Sequence, residues 1–294
     1  MKLIFIFLIV TTSFFAKEVE LSATVKYENN TNQDIKGIYL KVHIPPETFY
    51  QKLLNINVFG VSSYKIKKHS NSSEKYVDLS FNLPAQSVSI KKIIYKLNIE
   101  QKEVDISKKI KKYFTKYTKD SKNIEVSSKE IQSLSKRIKK SKSRLYDRIR
   151  LAYEFPSSYL KFNPQSKKTS ALYALNSGYG DCTEYSYIFV ALARSLNIPS
   201  RTISVFAFKN NNKFKMPNHN ASEIYIEKYN WFPVYPNLSR GKYYNEYALG
   251  KVSDNIIVFM QEKNWTWSSY ISKKNKINKK DIQTSIEWEV KEIQ

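Results

Sequence analysis

The chain has 294 residues, of which 41% are hydrophobic and 14% aromatic, with only 6 Gly and 9 Pro. That is enough apolar material for real cores at a length that fits two domains, and it excludes a disordered or collagen-like protein. Lys and Arg number 49 against 26 Asp and Glu, a net charge of +23. Such a balance means lysines on every solvated face, or an anionic partner such as nucleic acid, phospholipid headgroups or a wall polymer.

The N-terminus bears on the compartment. Met1-Lys2 precedes an apolar run from Leu3 to Val10, and a small residue, Ala16, stands before the charged Lys17-Glu18. One positive charge, a short apolar stretch and a small residue at the break read as a signal peptide over residues 1–16. The run falls far short of the ~20 residues that span a bilayer. A periplasmic or secreted chain is expected, with no transmembrane segment after cleavage. Phe14 stands where a small residue is usual, so an uncleaved anchor is the alternative.

Exported proteins usually carry cysteines in pairs, yet Cys182 is the only one here. It is either a small buried hydrophobe or a thiol kept for its reactivity. One Cys and three separated His residues exclude a Cys/His metal site, and no Ca²⁺-ligand motif is present, so neither metal nor cofactor is expected.

Between Lys17 and about Glu100 the apolar pattern has period two. Val19, Leu21, Ala23 and Val25 alternate with polar neighbours, as do Ile38 to Ile44, Val77 to Leu83 and Ile93 to Ile99. Turn material at Asn29–Asp34 and Ser70–Ser73 separates them. Half-buried strands at this spacing predict an antiparallel β-sandwich over residues 17–104. His43 and His69 stand among Lys and Ser and read as surface residues.

The period then becomes helical. Ile106, Ile110, Phe114 and Tyr117 make one short stripe. Ser127-Ser128-Lys129-Glu130 is a capping box opening a helix with Ile131, Leu134, Ile138, Leu145, Ile149 and Ala152 on one face. Residues 101–150 hold 17 Lys/Arg and 6 Asp/Glu, a net +11. Aromatic residues do not alternate with the basic ones as base stacking requires, so no nucleic acid is expected. A solvated face leaning toward anionic envelope polymers is the preferred reading.

The chemistry lies further on. Asn176 to Cys182 is a Gly-containing turn, and Tyr185, Ile188, Phe189, Leu192 and Leu196 share one face of the helix that follows, which stops at Asn197-Ile198-Pro199. Cys182 thus sits at a helix N-terminus, where the dipole favours thiolate and a pKa below the free value of about 8.5 is expected. A thiolate doing acyl transfer wants a base, most often His. The one His of this zone, His219, opens a hairpin whose strands run to Ile226 and from Trp231, with a turn at Glu227–Asn230.

At Gly180-Asp181-Cys182, and at Ala191-Leu192-Ala193-Arg194-Ser195-Leu196-Asn197-Ile198-Pro199-Ser200-Arg201, the sequence resembles the bacterial transglutaminase-like proteins of the papain-like cysteine superfamily. The second segment is similar to that family's "R-x-x-G-I-P-x-R" exit from the nucleophile helix. His219, Glu223 and Trp231-x-Pro233 resemble the His strand and its neighbour, and the likeness spans residues 124–250. It implies an α+β protein: an N-terminal antiparallel β-sandwich, then helices packed on an antiparallel sheet as a transglutaminase-like core over 105–250, completed by C-terminal strands and a tail, 251–294.

The resemblance also implies a Cys182–His219 dyad and an acid four residues after the Trp, where this chain has Tyr235. A phenol orients the imidazole without supplying charge, so Tyr235→Asp is expected to raise the His219 pKa and amide turnover. Asn237, two residues on and on the same strand face, is the second candidate for that role, since papain-like sites work with a neutral Asn. After the His the family has Ala-Trp; Asn220-Ala221 stand here, so an aromatic wall is missing. Three functions follow. One is an exported cysteine-dependent amide hydrolase or acyltransferase acting on a protein or peptide through a thioester. Another is a degenerate module that binds a peptide or envelope component. The third is a basic, anionic-polymer-binding protein with the core as scaffold.

Overall fold

The computed structural model describes residues 16–70, 72–107, 115–164, 169–239, 244–261, 265–272 and 281–293. Of the segment read as a signal peptide, residues 1–15 lie outside the described residues, as do Ile110 and Phe114 of the first helical stripe. No helix among the described residues is long and apolar enough to cross a membrane.

Six strands come first: β1 (Ala16–Asn29), β2 (Ile35–Ile44), β3 (Gln51–Phe59), β4 (Lys65–Lys68), β5 (Lys75–Leu83) and β6 (Ser87–Glu100), then the two-residue β7 (Lys102–Glu103). The helical part holds α1 (Lys129–Ser141), α2 (Leu145–Tyr159), β8 (Lys161–Phe162), α3 (Ala171–Ser177), β9 (Tyr179–Gly180) and α4 (Cys182–Ser195). Then follow β10 (Ser200–Ala207), β11 (Asn212–Phe214), β12 (His219–Ile226), β13 (Asn230–Val234), α5 (Tyr244–Tyr247), β14 (Lys251–Val252), β15 (Ile256–Met260), β16 (Trp267–Ile271) and β17 (Ile282–Ile293).

The alternation in the first zone is a sandwich. One sheet runs β11-β17-β1-β6-β3 and the other β16-β2-β5-β4. Val19, Leu21, Ala23 and Val25 are fully buried together with Ile93, Tyr95, Leu97 and Ile99, because side chains of one parity face the other sheet.

The C-terminal boundary needs correcting. Residues 251–294 do not as a block complete the core: β15 joins the core sheet, but β16 pairs with β2 and β17 pairs with β1 along twelve residues, Ala23 opposite Trp288. The physical reason is an unfilled edge. β1 is apolar on its inner face from Val19 to Tyr27, and a second long strand of matching period covers it.

His43 and His69 are also not surface residues. His43 is fully buried and His69 is 8% exposed, and His43 Nε2 lies 3.4 Å from Glu74 Oε1. Trp265 and Tyr76 pack around His69, so aromatic rings close over polar groups that the local sequence presents as solvated.

The helical zone is two helices rather than one. Ser128, one residue later than expected, caps α1 through Ile131 N–H, and the helix breaks after Ser141 before α2 begins at Leu145. Tyr117 lies in a short 3₁₀ turn, Thr115–Thr118. The core sheet, β13-β12-β10-β15, packs against α4, whose face from Ile188 to Ala193 is fully buried. The sandwich and this sheet share apolar contacts: Trp288 lies 5.5 Å from Phe206 and 4.8 Å from Phe259, ring to ring. Buried Gln51 adds a strand-like pair of hydrogen bonds to Val258, both 2.9 Å.

Candidate active site

Cys182 is the first residue of α4, and the local sequence dictates its pose. Asp181 caps the helix, accepting Thr183 N–H at 2.8 Å, while the Glu184 carboxylate accepts Asp181 N–H at 2.8 Å. Glu184 is fully buried in doing so, and a Cβ on Gly180 would stand 2.5 Å from its Cβ. Only glycine fits there, which explains the Gly-Asp-Cys run in steric terms.

His219 opens β12, and the peptide N–H that follows it, of Asn220, points at Cys182 Sγ at 3.4 Å. The thiol and the His219 backbone are therefore immediate neighbours. The imidazole Nε2 meets Asn237 Oδ1 at 3.1 Å. Because the amide oxygen can only accept, Nε2 donates, which leaves Nδ1 as the basic nitrogen. Asn237 reaches this place in the 3₁₀ turn Pro236–Leu238, after β13 has ended, and not along a strand face.

Tyr235 is placed elsewhere. Its ring is 1% exposed and packs edge-on to Tyr247 at 5.3 Å, and its hydroxyl has no hydrogen-bond partner among the described residues. The expectation that it faces the imidazole is corrected. The turn at Pro236 sends residue 235 into the core and residue 237 toward the histidine.

The electrostatics differ from the sequence expectation too. Burial pushes the Cys182 thiol up, and the Asp181 and Glu184 carboxylates add to this against the Asn220 N–H and the Thr183 side chain. The helix N-terminus does not give a depressed thiol, because the Asp181 carboxylate already accepts the Thr183 N–H and offsets the positive end of the helix. Burial holds His219 below its ordinary value, opposed by the Asn237 hydrogen bond and the Asp181 charge. Both directions favour the uncharged forms, thiol at Cys182 and imidazole at His219.

Sequence reasoning missed Asn220 as a structural strut. Its Nδ2 donates to Thr183 Oγ1 at 2.8 Å and its Oδ1 accepts from Ser204 Oγ at 3.0 Å, tying the His strand to the Cys helix. Its position directly after His219 was the available signal. Glu223 and Arg201, in contrast, form a buried pair at 2.8 Å, with the guanidinium 4.0 Å above the Trp231 ring.

Residues 132–236 match the sequence model of the Transglutaminase-like superfamily. The chain therefore carries a transglutaminase-like core, joined to an N-terminal β-rich region. A candidate cysteine protease from Cytophaga hutchinsonii has a similar structure, with a TM-score of 0.62 at 14% identity over 95% of this chain and 92% of that one, which shows a shared fold. A candidate protease from Parabacteroides distasonis aligns with a TM-score of 0.29 at 14% identity, over 68% of this chain and 41% of that one. The periplasmic domain of TgpA from Pseudomonas aeruginosa aligns with a TM-score of 0.35 at 12% identity, over 74% and 90%. No curated protein matches the sequence.

Proposed function

We propose that this chain is an exported, cysteine-dependent amide hydrolase or acyltransferase with Cys182 as nucleophile, His219 as base and then acid, and Asn237 as the residue that orients the imidazole. The observation that carries this reading is the pair of contacts at His219: Asn220 N–H on the sulfur, and Asn237 on Nε2.

The reaction follows from the neutral pair. His219 Nδ1 takes the thiol proton as Sγ adds to the carbonyl carbon, and the oxyanion forms beside the Cys182 N–H, which has no acceptor within the helix. The C–N bond then breaks, and the imidazolium returns its proton to the leaving amine. Water or a second amine attacks the thioester, with His219 again removing a proton and Sγ leaving as thiol. The substrate on this reading is a protein or peptide in the cell envelope, and the basic helices favour an anionic envelope polymer nearby.

The setting of Cys182 favours a second reading, a binding module with a spent site: burial and the adjoining Asp181 and Glu184 carboxylates favour the thiol over the thiolate. A panel of peptide amides separates the two. Turnover that disappears in Cys182→Ala supports the enzyme. Peptide binding without turnover, unchanged in that variant, supports the module.

A further inference from the structure

We propose that a cavity at the C-terminal end of α4, remote from Cys182, binds an oxyanion, a carboxylate or phosphoryl group, on the Arg194 guanidinium flanked by Lys116 and Lys122. The cavity has a volume of about 420 Å³, and its lining includes Lys116, Tyr117, Lys122, Tyr187, Arg194 and Arg201 but no Asp or Glu among the described residues. Arg194 lies twelve residues after Cys182 on the same helix, about 18 Å away at 1.5 Å per residue.

Arg194 is only 5% exposed. Its Nε donates to Ser200 O at 2.9 Å, and its Nη1 donates to Lys119 O at 2.7 Å and to Ser121 Oγ at 2.8 Å. Nη2 makes no hydrogen bond among the described residues, so one corner of the fork remains unused at a residue that lines the cavity. No carboxylate among the described residues lies within ion-pair distance either. Asp120 is the nearby acid, and it is held by the Ser127 N–H at 2.8 Å and hydroxyl at 2.5 Å. Burial brings the guanidinium down to about 10, against the charges of Tyr117 and Asp120. Arg201, the other arginine of the lining, has Glu223 as its counter-charge.

A cation near a helix C-terminus ordinarily serves the last carbonyls. That role does not use up Nη2, because those carbonyls already have donors: Lys139 Nζ on Ser195 O at 2.9 Å, Asn197 N–H on Arg194 O at 2.9 Å and Ile198 N–H on Ala193 O at 2.9 Å. A buried charge without a partner is costly. An oxyanion at Nη2, in the cavity that the exposed Lys116 and Lys122 also line, supplies a closer counter-charge than Asp120 and accepts the free donors. The net +11 of residues 101–150 then acts as the field that draws such a group in.

The test is thermal unfolding of the full chain against inorganic phosphate and against acetate, at constant ionic strength set with chloride. A saturable rise in Tm with phosphate alone assigns a phosphoryl group, with acetate alone a carboxylate, and with both an oxyanion of either kind. The Lys116→Glu/Lys122→Glu double variant should weaken that binding roughly tenfold, about the worth of one charge-assisted hydrogen bond. Arg194→Gln should abolish it; if that variant does not fold, the lysine pair alone decides. General salting effects of phosphate would raise Tm equally in the double variant, and that result, or no saturable rise with either anion, overturns the proposal. A response lost in Cys182→Ala overturns it too, since the anion would then sit in the thiol site.

Discussion

The His219 imidazole and the Asn237 amide oxygen meet at 3.1 Å across the turn that ends β13, and this contact fixes which ring nitrogen is basic. On the proposed mechanism, Asn237→Ala should lower kcat/KM for amide substrates at least roughly tenfold, the equivalent of one hydrogen bond of ~1.4 kcal/mol. Asn237→Asp should instead raise the His219 pKa and move the acid limb of the pH profile upward. An Ala variant as active as the parent would remove Asn237 from the site.

Burial sets the pH behaviour at both partners. His219 lies below its ordinary value, so the unfolded chain takes up this proton first as the pH falls, and stability should decline from about pH 6.5 downward. Cys182 lies above its ordinary value, so its contribution is complete below about pH 8.5 and is lost as the pH rises toward the folded value. Iodoacetamide labelling should accordingly accelerate through pH 9 without a plateau near neutrality. A plateau at pH 6–7 would show a preformed ion pair instead.

Tyr235 behaves as a core residue. Tyr235→Phe removes a hydroxyl that is buried without a partner among the described residues, so it should leave activity unchanged and stability within about 1 kcal/mol of the parent, or higher. Tyr235→Asp places a carboxylate in a 1% exposed position and should destabilise by several kcal/mol rather than increase turnover. Urea unfolding decides, and a stable, more active Asp variant would return position 235 to the histidine.

The Arg201–Glu223 pair should show the asymmetry of buried charges. Glu223→Gln strands the guanidinium under Trp231 and should cost about 3–5 kcal/mol. Adding Arg201→Met should recover a large part of that loss, because no lone charge then remains. Loss in the double variant equal to the sum of both singles would mean that each side chain matters for packing alone.

Legibility followed the range of the interactions. The strands from Val19 to Ile99, the helix after Cys182 and the hairpin at His219 all carry their period within a few residues, and all were readable. Gly180 and Asp181 were readable as a turn, although the steric demand of Glu184 was not. What escaped depends on distant partners. Nothing near Tyr235 says that Pro236 turns it inward, and nothing near His43 reveals Glu74. The pKa directions at Cys182 and His219 arise from burial that only the packed core defines.

The strongest long-range feature is the return of the chain's last strand to its first. Trp288 of β17 is fully buried between the sandwich and the core sheet, opposite Ala23 and against Phe206 and Phe259. Trp288→Ala should therefore destabilise the protein by about 3–5 kcal/mol, the usual range for truncating a buried large aromatic. Its indole N–H has no partner among the described residues, so Trp288→Phe gives up volume but no hydrogen bond and should cost much less. The location of the damage is a second readout. Because β1 and β17 share a ladder, amide exchange at Leu21 and Ala23 should speed up in the Ala variant, some 265 residues away in sequence from the substitution. A change below 1 kcal/mol, with exchange in β1 unaltered, would mean that the C-terminal strand is not part of the sandwich core.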